Sequence, residues 1–143
     1  MSFAMATLRW AVASLMMDQL QGYAMTTDAN TLEALRERIV RFADERDWDQ
    51  FHNPKNVVMA LAVEAAELLE HFQWRTPEES ASLNPEEKEA VALEAADVLL
   101  YLLRLCDKLG IDLAAAAQRK IAINEQKYPA HKSRGRSTKY DKL

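Results

Sequence analysis

One cysteine, three glycines, four prolines and no excess of positive charge define this 143-residue chain by what it lacks. A single cysteine excludes an intrachain disulfide framework, and Cys106, set on an apolar helix, reads as a small buried residue. Few glycines and prolines beside 49% hydrophobic residues point to helices joined by short connections. A formal charge of −4 provides no basic surface, which argues against a nucleic-acid binder. No apolar run is long enough for a membrane span: Leu8 to Met17 is too short and Asp18 follows it. The same run makes a poor export signal, with only Arg9 ahead of it and no clear cleavage site, so a cytoplasmic protein without membrane contact is expected. His71 follows Glu67 by four residues, but no second histidine stands at matching spacing, and nothing resembles a zinc site.

What remains is one domain's length of amphipathic helix. Residues 1–29 form an N-terminal extension, and Met25 ahead of Asn30 resembles an alternative start; a disordered arm and an extra helix both fit it. The first helix is expected to open at Asn30, with Glu33 at capping-box spacing. Its apolar stripe is Leu32, Leu35, Ile39 and Phe42, and it runs to near Asp47. The second opens at Asn53-Pro54 and reaches about Phe72, with a polar connection from Gln73 to Leu83. The third starts at Asn84-Pro85-Glu86-Glu87 and stops at Gly110. Asp112 caps the fourth, which ends before Pro129 because Tyr128 is disfavoured in helical geometry there. The expected fold is all-α, an antiparallel four-helix bundle over residues 30–129, with a basic, irregular tail over 130–143.

Two carboxylate pairs carry the chemistry. Glu64 and Glu67 on the second helix, and Glu94 and Asp97 on the third, each share one helical face because they are three residues apart. Ala, Val and Leu surround them, so the acids face inward rather than toward water. Burial and mutual repulsion make such carboxylates costly unless a cation neutralises them. A hard divalent ion with oxygen ligands suits that set, and Mg²⁺ held by carboxylates usually serves phosphate chemistry. The bland alternative is four solvated acids in surface salt bridges.

These residues in order resemble the MazG-like all-α nucleoside triphosphate pyrophosphohydrolases. The closest likeness is to the dCTP pyrophosphatase branch. Arg46-Asp-Trp48-Asp-Gln-Phe-His52-Asn-Pro54-Lys55-Asn56 precedes the first pair, and Phe72-Gln-Trp74 follows it. Asp97-Val-Leu-Leu-Tyr101 continues the second pair, and the segment Lys120 to His131, with Asn124, Lys127, Tyr128 and Pro129, closes the match. The likeness implies hydrolysis of a nucleoside triphosphate to the monophosphate and pyrophosphate. It implies Mg²⁺, with Mn²⁺ as a substitute, bound by Glu64, Glu67, Glu94 and Asp97. Glu67, together with Glu64, is then the catalytic candidate that orients or deprotonates water. It also implies a homo-oligomer, a dimer or a dimer of dimers.

Substrate-contact candidates follow from the same likeness. Lys120, Asn124 and Lys127 form one stripe at i, i+4 and i+7, suited to phosphates or sugar, although such a stripe is also an ordinary solvated face. Trp48, His52, Trp74 and Tyr101 suit base and sugar recognition by stacking and oriented hydrogen bonds, with Tyr128 beside them. Trp48 and Trp74 flank the second helix and are expected to reach the same end of the bundle. One departure stands out: Ile39 occupies a position where some dCTP-preferring relatives carry histidine, which removes a polar base contact. Two sister activities therefore stay open, a broader MazG-like hydrolase and an all-α dUTPase. From another class, a helical interaction module with a purely structural metal also fits the acids.

Overall fold

The computed structural model describes residues 31–142, all of them helix, turn or loop with no strand. The extension over 1–29 and the cap expected at Asn30 lie outside the described residues. Helix α1 spans Leu32–Asp44, and its cap is Thr31, whose hydroxyl accepts from the Ala34 N–H at 3.1 Å. The helix stops short of Asp47 because that residue turns left-handed (φ +52°), a conformation aspartate tolerates. The Trp48 N–H then bonds back to the Ala43 carbonyl at 2.9 Å. A 3₁₀ turn, Asp49–Phe51, leads into α2, Pro54–Glu70. Asn53 caps α2 by accepting from the Asn56 N–H at 3.0 Å, and Pro54 fills the first position, where no N–H is needed.

The stretch from Gln73 to Leu83 is not purely a connection: it holds a four-residue helix, α3, Pro77–Ser80. A reciprocal box secures it, with Thr76 accepting from the Glu79 N–H and Glu79 from the Thr76 N–H. Asn84 and Glu87 form the same box at the start of α4, Pro85–Leu109, whose 25 residues give a rod of about 37 Å. Gly110 ends it in the left-handed region at φ +63°, where a side chain is disfavoured. Asp112 caps α5, Leu113–Lys127, and Tyr128 leaves helical geometry before Pro129 as expected. The tail contains a further single turn, α6 (Ala130–Ser133), and a 3₁₀ turn over Tyr140–Lys142.

Helix α4 is the spine. It packs along α2 and more briefly against α1. The ion pair Arg75–Glu87 joins the connection just after α2 to the start of α4, while His52, just before α2, meets Arg104 near the end of α4, so the two helices run antiparallel. Their contact buries Val57 and Ala60 from α2 against Leu103 and Cys106 from α4, with Ala43 of α1 completing the core. Helix α5 is different, because none of its residues is buried and Ile121 and Ile123 remain exposed. The all-α class agrees with the sequence, but within the described residues three long helices pack and the fourth does not close a bundle. No described helix is long and apolar enough to cross a membrane.

Candidate metal and nucleotide site

Antiparallel packing of α2 on α4 brings acids from both carboxylate pairs together. Carboxylate oxygens of Glu64, Glu94 and Asp97 lie within 4.8 Å of one another. Glu64 is only 9% exposed, and Glu94 and Asp97 are half-buried, so the group sits in the helix interface rather than on a solvated face. Three like charges at this distance repel strongly when partly desolvated. The donor set is all carboxylate oxygen, which suits a hard divalent cation such as Mg²⁺ or Mn²⁺ and not a thiol- or imidazole-seeking metal. Glu67, one turn beyond Glu64, is half-buried and lies outside the converging trio.

Tyr101 follows Asp97 by one turn on α4. Burial, and then the negative charges of Glu64 and Asp97, push its hydroxyl well above the ordinary tyrosine range. It therefore stays protonated beside the acids and is available as a donor. Asp97 and Tyr101 also form one wall of a cavity that continues to Ile39, Phe42, Ala43, His52, Leu100 and Arg104. The acidic group and this cavity are thus one continuous surface between α1, the linker and α4.

Trp48 and His52 belong to that end. The Trp48 ring meets Phe42 edge-on at 5.7 Å between centroids and His52 at 6.4 Å. Trp74 does not join them, contrary to the expectation that both tryptophans reach one end. The 17 residues of α2 separate the two by about 25 Å of helix. Trp74 is 89% exposed and borders a different depression with Glu70, His71, Arg75 and Glu79. The α5 stripe of Lys120, Asn124 and Lys127 is exposed throughout. Lys127 lies over the Tyr140 ring at 5.0 Å and Tyr128 meets Tyr140 edge-on at 5.9 Å, so the tail packs on the end of α5.

A charged network next to His52 escaped sequence reasoning. Arg104, 2% exposed, donates to His52 Nδ1 at 3.2 Å and to Asp107 at 2.8 Å, and pairs with Asp49. Lys108 shares Asp49, and Arg36 of α1 reaches Asp107 at 2.6 Å. Lys108 and Arg104 hold Asp49 below the usual carboxylate range, the hydrogen bond from Lys108 contributing most. A signal existed in the sequence: Glu94, Asp97, Tyr101 and Arg104 continue one stripe at steps of three and four, and Arg104 interrupts an apolar run.

Comparison with known proteins identifies the family. The MazG-like family model matches residues 59–143. The human protein dCTP pyrophosphatase 1 is 44% identical over 115 residues, covering 79% of this chain and 68% of that protein. The dCTP pyrophosphatase 1 of Rattus norvegicus matches equally, at 44% identity over the same coverage. Among solved structures, a pyrophosphatase from Archaeoglobus fulgidus DSM 4304 superposes with a TM-score of 0.66 at 39% identity, over 76% of this chain and 99% of that one.

Proposed function

The chain belongs to the MazG-like family, and from that membership we propose that it is a dCTP pyrophosphohydrolase, converting dCTP and water to dCMP and pyrophosphate. The convergence of Glu64, Glu94 and Asp97 from two helices carries the reading, together with the identity to proteins named dCTP pyrophosphatase 1. The proposed ligands are Glu64, Glu67, Glu94 and Asp97, with Mg²⁺ as the ion and Mn²⁺ as its substitute. Mg²⁺, when bound, polarises the phosphate oxygens and offsets the charge that develops on them.

The chain's own residues account for the remaining steps. Glu67, beside the trio and less buried than Glu64, orients and deprotonates the water that attacks the α-phosphorus. Pyrophosphate leaves as the bond between the α-phosphorus and its bridging oxygen breaks. Tyr101, held protonated, donates to the sugar or phosphate that lies against the acids. Trp48 and His52 meet the base by stacking and a hydrogen bond. Lys120, Asn124 and Lys127 meet the triphosphate once α5 is covered in an assembly, with Tyr128 and Trp74 as further contacts completed there. The catalytic unit spans residues 30–129, with 1–29 and 130–143 as flanking segments.

Exposed apolar side chains on α2 (Val58, Met59, Val63, Leu69) and α5 (Ile121, Ile123) support a homo-oligomer, a dimer of dimers in which α5 closes each bundle. A soluble nucleotide substrate goes with a cytoplasmic location and a housecleaning role in the nucleotide pool.

Ile39 favours a second reading. It lines the cavity with an apolar side chain and gives the base no polar group, which suits a broader-specificity hydrolase or an all-α dUTPase. Pyrophosphate release measured over a panel of ribo- and deoxynucleoside triphosphates, with and without Mg²⁺, separates the readings. The expected outcome is fastest release from dCTP and none without the ion. Preference for dUTP or indifference to the base contradicts the cytosine assignment, and inactivity toward every triphosphate points to a non-catalytic module.

A further inference from the structure

The contact between Arg104 and His52 determines which ring nitrogen carries the proton. The Arg104 guanidinium reaches three partners at once: Nε donates to His52 Nδ1 at 3.2 Å, one terminal nitrogen donates to Asp107 at 2.8 Å, and the other pairs with Asp49. A guanidinium has donors only and keeps its charge at any ordinary pH. Nδ1 is therefore an acceptor, and a neutral imidazole with a lone pair on Nδ1 carries its hydrogen on Nε2. That N–H points away from the guanidinium. Among the described residues no protein acceptor takes it, although His52 lines the same cavity as Asp97 and Tyr101.

We propose that Arg104 is a positioning residue that fixes His52 as the Nε2-protonated tautomer, so that the ring offers one hydrogen-bond donor to an acceptor atom on the bound base. The proposal rests on the nucleotide reading and deepens it by naming the chemistry of the contact. A fixed donor selects a base edge presenting a carbonyl or unprotonated ring nitrogen, such as O2 or N3 of cytosine. An amino group facing it leaves two donors opposed.

The surroundings keep the ring neutral. Burial comes first among the causes that lower its proton affinity, followed by the charges of Arg104 and Lys108 on α4, while Asp49 in the linker opposes them. From α1 the cavity wall contributes only Ile39, Phe42 and Ala43, none of which titrates. A second proton on Nδ1 would face the Arg104 N–H and break the contact that holds the ring.

Arg104→Met tests this. Asp107 keeps Arg36 at 2.6 Å and Asp49 keeps Lys108, so neither acid loses its last cation and the variant is expected to fold. The first readout is the long-range ¹H–¹⁵N spectrum of the free protein at about pH 7.5, above the ordinary imidazole value. The three histidines are assigned with a His52→Gln sample. The parent should show the Nε2–H pattern for His52, and Arg104→Met a mixture of tautomers. KM for dCTP should rise about three- to tenfold, with kcat within about twofold. Arg104→Lys, which keeps a charged donor but not the planar fork, should recover part of both and carries the test if the methionine variant does not fold. An Nδ1–H tautomer in the parent, an unchanged tautomer in Arg104→Met, or a loss confined to kcat overturns the proposal. A parent that hydrolyses no triphosphate overturns the nucleotide reading and the ring's part in it, while the tautomer of the free protein still decides whether Arg104 holds the ring.

Discussion

His52 is the residue at which the electrostatics of this protein are most exposed to measurement. Burial, Arg104 and Lys108 hold it below the ordinary imidazole value of 6.5, with Asp49 working the other way. The unfolded chain therefore binds this proton more readily than the folded one. The stabilisation from the neutral ring is complete above the unfolded value and is lost as pH falls from there through the lower folded value. The melting temperature of the parent should thus drop relative to His52→Gln between about pH 7.5 and about pH 5.5. A difference between the two proteins that stays constant across that range contradicts the assignment. The two acid pairs were legible as same-face pairs because residues three apart on a helix share a face whatever surrounds them, and of the four the structure brings Glu64, Glu94 and Asp97 together. The partners of Arg104 were not, because His52 and Asp49 stand 52 and 55 residues away and only folding brings them together.

Helix boundaries depend on single residues with local effects, which is why most of them could be read in advance. Asn53, Asn84 and Asp112 cap the helices they were expected to cap, and Gly110 ends α4 in the left-handed region. A Cβ at Gly110 meets nothing within 4 Å, so the cost of adding one is purely backbone. Gly110→Ala should destabilise the fold by about 1 kcal/mol, read as a lower urea midpoint with an unchanged slope. An unshifted midpoint contradicts that account of the α4 terminus. Helix α3 went unread because four residues are too few to show an apolar period. Thr76-Pro77-Glu78-Glu79 carried its start signals, a capping box with proline at the first position and an acidic first turn.

At the scale of the molecule, a hydrophobic stripe says that a face is covered but not which chain covers it. An antiparallel four-helix bundle was expected over residues 30–129, yet Met59, Leu69 and Ile121 are each more than half exposed here. The proposed assembly of identical chains would cover these side chains. Light scattering coupled to size exclusion should give the mass of a dimer or tetramer, and Ile121→Glu should shift it downward. A parent that runs as a monomer at micromolar concentration contradicts the oligomer and leaves α5 without a role.

In the proposed function, the acids converging from α2 and α4 are the working part of a triphosphate hydrolase. Pyrophosphate release from dCTP by the Asp97→Asn variant, at saturating Mg²⁺ and with helical content matching the parent, tests it most directly. A fall in rate of about 100-fold or more is predicted, since the substitution removes a charge from the group that meets the ion. A variant that keeps the parent's rate contradicts the claim.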